Sequence, residues 1–552
     1  MKRNILFSII FINTFLTISA QLTETVVVEN TYTPTIMDAD KINTLPLPHT
    51  QKSHHYDVIY TRTPQPTTTY TLTPTPTPLR CDTTLTLQHA FLTAAYSLTG
   101  NALLQAIVGT EITKNDQLTA AITFDGYNQK INHCQQDDKW QSRFFTTDAH
   151  LTYSYPLTSS NPSNPSTLLK LFLTGKQQLF NYQPTHSILP ATWQTDKQHA
   201  EETTLRCDVT PYHLSNFFIS ATGELSHFAQ KYITLAPLGR GLSEYRWKIG
   251  ITPGYKINTH NTIDLTTYAE NAWYHNDLLT TTSRLHLLPH YRYTNEKMQL
   301  TIGAALRISD GKTDIAPNTQ LLYHLNKTTD IYLHADGGEQ TQYLSDINSD
   351  ISPYFVPDSS TPHLRHEFHH LQSQVGLIWQ GVEGLHTDLS IGYDKSKDRA
   401  EIIQTPQTSQ YHYATIGYVD GDRLFITLDI DYDYKDILHV RLLNTWNRWD
   451  TTSDYSDASI MWRPQLDLDW SLTMKIKSLL IGARCQLQTF KEDVTLYTRP
   501  QTLDLSAHLT YLIRPRLSIY ARLTNLLNTR QDRYMYYPSP GTNAMIGLAY
   551  TF

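Results

Sequence analysis

The chain has 552 residues, a net charge of −7 and a mean hydropathy of −0.40, with 35 Tyr and 9 Trp. Beyond its N-terminus no stretch reaches the roughly 20 apolar residues that a spanning helix needs, which excludes a helical membrane protein. The mild negative charge offers no basic footprint for nucleic acid, so no nucleic-acid partner is expected.

The N-terminus reads as a secretory signal peptide over residues 1–20. Lys2 and Arg3 give a positive start, Ile5 to Ile18 an apolar run, and Ser19-Ala20 small residues before Gln21. No cysteine follows that site before Cys81, which argues against a lipid-modified N-terminus. In an exported chain Cys81, Cys134, Cys207 and Cys485 are free to pair, and they are read as structural; four cysteines allow three connectivities, and their spacing matches no metal motif.

Residues 21–87 form a second region, rich in Thr and Pro. In Arg62 to Arg80 prolines recur too often for helix or central strand, so extended, polyproline-like backbone is expected. This region reads as a periplasmic tether. Within it Glu24, Val26, Val27 and Val28 belong to one β-prone run led by an acid, suited to joining a partner's sheet as an edge strand. The alternative is a short strand of no special role.

From residue 88 to 552, period-two segments follow one another. Leu424, Ile426, Leu428, Ile430, Tyr432 and Tyr434 alternate with Phe425, Thr427, Asp429, Asp431 and Asp433, giving an apolar stripe backed by three carboxylates. Met298 to Arg307, Leu385 to Asp394, Leu505 to Tyr511 and Leu517 to Thr524 repeat the pattern. A tandem series of about 22 such strands, with a range of roughly 18 to 24, predicts an all-β fold: an antiparallel transmembrane β-barrel with lipid outside and a wet lumen. Asn258 to Asn261, Thr294 to Lys297, Asn326 to Thr329 and Arg514 to Arg516 read as short periplasmic turns. Tyr127 to Lys139, Tyr182 to Glu201, Gly337 to Leu364 and Leu527 to Asn543 read as long outer loops. This alternation of short and long links falters at Lys395 to Thr408, which also reads as a link.

The last strand is Thr542 to Phe552. Ala544, Ile546, Leu548, Tyr550 and Phe552 share one face, and small or weakly polar residues the other. A terminal Phe with an aromatic residue two before it resembles the signal read by the bacterial barrel-assembly machinery, which implies that machinery as a partner through Ile546, Leu548, Tyr550 and Phe552.

Two motifs suggest chemistry. His366-Glu367-Phe368-His369-His370 matches H-E-x-x-H, which binds zinc only when both histidines share a helical turn. The residues that follow alternate as a strand, where His366 and His370 would stand about 13 Å apart, so no catalytic metal is expected. His54 and His55 receive the same reading. Asp429, Asp431 and Asp433 are candidate lumen charges that, with Asp388 and Asp394, favour cations; simple solvation of a polar wall is the alternative. Tyr534, Tyr536 and Tyr537 either grip a sugar or peptide or belong to an interfacial girdle. No nucleophile set stands out, so the chain is read as a non-enzyme without cofactors.

Residues 521–552 carry a family resemblance. Asn525-Leu526-Leu527-Asn528, then Tyr534, Tyr536, Tyr537, Pro538, Pro540 and Gly541, then the terminal strand, resemble the C-terminal end of TonB-dependent receptors. Leu527 stands where that family usually has Phe, and Thr542 where Arg commonly follows the Gly. Thr23 to Asn30 looks like the segment near a TonB box, and the whole resembles the outer-membrane receptors common in Bacteroidetes. The resemblance implies a location in the outer membrane, contact with its lipid, and TonB or another periplasmic protein as partner. It also implies a globular plug, for which only about sixty proline-rich residues stand before the barrel, too few in apolar side chains to bury a core. The expectation is a receptor-like barrel lacking its plug, in transport or uptake as a receptor with plug function in trans or as a gated pore. The alternative is a non-transporting anchor whose tether docks periplasmic partners.

Overall fold

The computed structural model describes residues 90–112, 116–132, 139–158, 165–184, 198–211, 216–230, 241–275, 279–309, 311–355, 364–404, 412–435, 437–451, 463–490 and 500–552. The expected signal peptide, the tether with Glu24, Val26, Val27 and Val28, and His54, His55, Cys81 and Cys134 lie outside the described residues.

The strands run β1 Ala90–Ser97, β2 Asn101–Glu111, β3 Gln117–Asn132, β4 Lys139–Thr158, β5 Pro165–Phe180, β6 Gln198–Pro211, β7 Phe217–Gln230 and β8 Leu242–Lys256. They continue as β9 Asn261–Tyr274, β10 Thr282–Thr294, β11 Met298–Ser309, β12 Lys312–Asn326, β13 Thr329–Gln340, β14 Glu367–Trp379, β15 Leu385–Gln404 and β16 Ala414–Tyr434. The last are β17 Leu438–Thr451, β18 Leu466–Ile476, β19 Leu479–Thr489, β20 Thr502–Arg514, β21 Leu517–Thr524, a small hairpin of β22 Asp532–Tyr534 and β23 Tyr537–Pro538, and β24 Asn543–Thr551. Each barrel strand pairs antiparallel with the next, and β24 pairs with both β21 and β1, closing a 22-stranded barrel. At the seam the Phe552 N–H donates to the Ala90 carbonyl at 2.8 Å. Closure leaves no unpaired strand edge in the bilayer.

The wall is inside-out relative to a soluble protein. Ile546 (65% exposed), Leu548 (53%) and Phe552 (55%) face outward with Ile426 and Leu424, whereas Phe425 is 2% exposed on the inner face. Asp429, Asp431 and Asp433 alternate with the outward residues of β16 and lie on that inner side.

Links after even-numbered strands are short, and an asparagine often builds them. Asn258 Oδ1 accepts the N–H groups of His260 and Asn261 at 2.9 Å, Asn295 those of Lys297 and Met298, and Asn326 that of Thr328. Such side-chain bonds mimic a backbone turn. The start of β1 and the C-terminus share this end, the periplasmic one by the rule for bacterial barrels. The long links gather at the opposite, outer end.

The link expected over Lys395 to Thr408 is corrected. β15 continues to Gln404 and stays paired with β16 to Ala414, with an irregularity between Ser396 and Arg399 and a left-handed Asp398 at φ 55°. Above the bilayer the outer face of a strand is no longer greasy, so alternation fades although pairing persists. For the same reason β3 runs on to Asn132, inside the expected loop Tyr127 to Lys139. Of the four cysteines expected to be structural, the two that are described, Cys207 and Cys485, are free thiols. They pair across the ladder with the outward Leu171 and Trp470, so both lie on the lipid side.

Candidate functional site

The outer part of β13 parts from β12 and leans inward with β14, which stays paired with β15 as far as Phe368 opposite Lys397. β13 pairs with β12 only as far as Ala335 opposite Thr319, and beyond it pairs with β14 alone, through Gly338–His369, Glu339–Phe368 and Gln340–Glu367. Glycine permits the bend. A Cβ on Gly337 would stand 2.5 Å from the Ala316 methyl and 2.6 Å from the His369 carbonyl oxygen, and Gly338 has φ +122°. This arm rests on small inner residues of β11 and β12, with Phe368 buried against Ala305 and Ala316 and the Arg307 guanidinium 4.6 Å from its ring centre.

From the arm's tip, residues 341–355 cross the mouth. They form one short turn of helix, α1 Leu344–Asp346, and a π-helical turn Ile347–Ile351. Tyr343 leads in with its ring 4.5 Å from the Arg246 guanidinium and 4.8 Å from that of Arg284, which also donates to its hydroxyl. The Leu344 N–H donates to Glu244 Oε2 at 2.8 Å, satisfying an orphan donor at the turn's start. Gln230 donates to the Pro353 carbonyl and accepts from the Asn348 amide, both at 3.0 Å, and Lys176 donates to Ser349 at 2.9 Å. Segment 341–355 thus reaches from β13 to the walls of β5, β7 and β8. Burial pushes Asp346 above the usual carboxylate range, and burial followed by the Asp346 charge pushes Asp350 up to about 6.

A second inward segment meets it. After β21, Asn525 and Asn528 take left-handed φ values of 49° and 50°, which asparagine tolerates, and their side chains hold the loop through Thr529 and Thr542. The loop then turns inward, burying Tyr534, Met535, Tyr536 and Tyr537 at 4% exposure or less. These tyrosines therefore do not form an outward girdle. Tyr537 stacks on Tyr354 with centroids 3.4 Å apart, and Tyr354 meets Phe180 and Tyr182 edge-on. The Tyr537 hydroxyl donates to the His412 carbonyl at 2.6 Å and accepts from the Gln183 N–H at 3.1 Å, while His412 N–H donates to the Gln183 carbonyl at 2.9 Å. Three loops, after β5, β15 and β21, are joined at one side chain. Around it Phe144, Phe180, Phe228, Ile402 and Ile416, from opposite walls of the barrel, form one apolar cluster.

Beneath Tyr343 lies a charged cluster. Arg284 lies 3.2 Å from Glu270 and 3.3 Å from Glu339, His286 lies between the same two carboxylates, and Arg307 bonds Glu339 at 2.8 Å and also Asp314. Glu339 reaches this place because the arm carries it over β11 and β12. The sequence reading missed this cluster: its members come from β9, β10, β11, β12 and β13 with no motif spacing, and only an inward bend after Gly337 signals it.

Of the expected residues, Asp429 pairs with Arg441 at 2.9 Å, and His439 lies 2.8 Å from Asp433 and 3.5 Å from Asp431. Asp388 stands opposite Asp429 in the ladder and accepts from the Tyr332 hydroxyl at 2.9 Å. The H-E-x-x-H residues lead into β14 rather than a helix. His366 is buried and accepts from the Gln342 N–H at 2.8 Å, whereas His370, the second histidine of the motif, is exposed with its ring 5.3 Å from that of Phe368; the intervening His369 lies 2.7 Å from Asp394. Ile546, Leu548, Tyr550 and Phe552 line the outward face of β24, with the last two rings 4.7 Å apart.

No protein-family model matches the chain, and no curated protein matches it significantly. Solved structures do. The FrpB iron transporter from Neisseria meningitidis superposes with a TM-score of 0.62 at 10% identity, over 84% of this chain and 82% of that one. A ferric enterobactin receptor (PfeA) from Pseudomonas aeruginosa gives 0.61 at 10% identity over 84% and 80%, and the copper transporter OprC 0.59 at 10% identity over 84% and 80%. By strand number, closure and superposition, the chain has the outer-membrane barrel fold of TonB-dependent receptors.

Proposed function

We propose that this chain is an outer-membrane transport protein of receptor type, acting with its plug function supplied in trans or as a gated pore. Residues 21–87 take the periplasmic side, with Glu24, Val26, Val27 and Val28 adding as an edge strand to TonB or another periplasmic protein. Ile546, Leu548, Tyr550 and Phe552 direct the barrel to its assembly machinery. Asp429, Asp431 and Asp433, with Asp388, bias the periplasmic part of the lumen towards cations. Proteins of the same barrel fold are named for carrying iron and copper and for receiving ferric enterobactin, which supports transport.

The observation that carries the reading is the joining of three outer loops at Tyr537. Hydrogen bonds and stacked rings join them, a sum of a few kcal/mol that the differential binding of a ligand is able to shift. The test is single-channel conductance of the mature protein in a planar bilayer, beside versions lacking residues 21–87, carrying Tyr537→Ala, or both. The full chain should be silent and the double change should conduct. Silence of a folded double variant would sink the transport reading and leave an anchoring role for the barrel and its N-terminal segment.

A further inference from the structure

Arg533 lies on the hairpin of β22 and β23 that carries Tyr534 and Tyr537, and it is a cation without a bonded counter-charge. Among the described residues it makes no hydrogen bond and no ion pair, and its Nε is buried. The carboxylate next to it in sequence, Asp532, is buried and bonds Arg530 at 3.1 Å. Asp125, on the inner face of β3, acts on Arg533 through its charge but forms no ion pair with it. What the guanidinium does meet is aromatic: its carbon stands 4.3 Å from the centre of the Phe144 ring and 5.4 Å from that of Tyr534. Rings attract a cation through their faces but accept none of its in-plane N–H groups. Charges inside proteins are as a rule paired, as Arg246, Arg284 and Arg307 are with carboxylates in this barrel, so Arg533 asks for an anion.

We propose that Arg533 anchors a bound oxyanion, a carboxylate or phosphate group reached from the lumen, and that this anion holds the hairpin in its inward seat. A guanidinium presents parallel N–H groups that match two oxygens of either group. The phenols of Tyr127, Tyr354 and Tyr534 lie close enough to feel the Arg533 charge and add neutral donors around it. Asp125 also faces the charge of Arg522, so it does not serve Arg533 alone. As a carboxylate it opposes the anion and keeps binding weak and reversible. Anion and hairpin are coupled because Arg533 comes inward on the same short element as Tyr534 and Tyr537. The inference concerns equilibrium binding and does not depend on transport.

The test is calorimetric titration of the full barrel in detergent with inorganic phosphate and, separately, acetate, at an ionic strength held with chloride. Barrel folding is checked by heat-modifiable migration on a gel. One saturable site should appear, tighter for phosphate if it takes a phosphate group and for acetate if it takes a carboxylate. Arg533→Gln should weaken it at least tenfold, whereas Arg206→Gln, at an arginine paired with Asp208, should leave it unchanged. Limited proteolysis within 529–541 gives a second readout: phosphate or acetate should slow cleavage of the wild type severalfold and not that of Arg533→Gln. Arg533→Met keeps a long stem against Phe144 without the charge. In buffer free of both anions it should be cleaved more slowly than the wild type, a gain that a fold defect does not produce. No uptake of either anion by the wild type, or uptake unchanged by Arg533→Gln, would overturn the proposal. Faster cleavage of Arg533→Met would overturn it by showing that the rings alone satisfy the cation. The titration needs no conductance, so its failure leaves the transport reading standing.

Discussion

Replacing Tyr537 by Phe removes one oxygen atom and leaves the ring that stacks on Tyr354. That oxygen bonds two buried backbone groups, the carbonyl of His412 and the N–H of Gln183, on loops from different parts of the rim. Depriving a buried backbone group of a partner costs about 1–3 kcal/mol, so two such losses destabilise the joined loops by about 2–6 kcal/mol. At 1.4 kcal/mol per decade this raises the open population by about 30- to 20,000-fold. The barrel wall does not involve Tyr537, so the folded fraction should stay the same. The assay is open probability in a planar bilayer for Tyr537→Phe against wild type, both lacking residues 21–87. Equal open probability would refute the argument that this hydroxyl ties the loops together.

Other perturbations separate the parts of the design. Gly337→Val places a side chain where even a Cβ meets Ala316 at 2.5 Å, so the arm should unseat at a cost of about 1–3 kcal/mol or more; limited proteolysis within 341–366 should accelerate severalfold, and unchanged cleavage would contradict the packing. Asp350 is raised to about 6 by burial first and by Asp346 second, with Lys176 opposing and Glu202 adding. A raised carboxylate favours the seated segment fully below about 4, and that contribution is lost as pH rises through about 6. Open probability should therefore climb over that window, modestly because the group borders lumen water, and Asp350→Asn should flatten the climb; an equal slope in the variant would exclude Asp350. Deleting Phe552 removes the last donor of the seam and the terminal aromatic, and should cut folded barrel in the outer membrane severalfold, read by heat-modifiable migration. Full assembly of the deleted chain would show that the terminal residue carries no signal.

The wall was legible because lipid imposes one rule on every strand. Leu424 to Tyr434, Met298 to Arg307 and Leu517 to Thr524 alternate as the lipid and lumen faces require, and the Asn-led turns at 258, 295 and 326 mark one end. The rule stops at the bilayer surface. Lys395 to Gln404 pairs as strand but has water or loops on both sides, so nothing in its pattern separates it from a link. Tyr534, Tyr536 and Tyr537 failed for a related reason: an aromatic run suits an interfacial girdle and a lumen cap equally, and only the direction of the chain after Asn528 distinguishes them.

The cluster beneath the cap was illegible in a deeper sense. Its acids and bases are ordinary inward residues of five strands, each explicable as solvated lumen wall. What makes them a cluster is that β13 abandons β12 after Ala335, at a place where Ala305 and Ala316 leave room and Gly337 supplies no side chain to fill it. Three small residues, on β11, β12 and β13, thus decide whether Glu339 faces open lumen or Arg284 and His286. Tyr343 then bonds Arg284, so the cluster and the mouth-crossing segment share a component. Arg284 meets Tyr343 through one nitrogen while its others face Glu270 and Glu339, so the cluster and the seating of the cap are coupled through one arginine, and Arg284→Gln should loosen the segment 341–355.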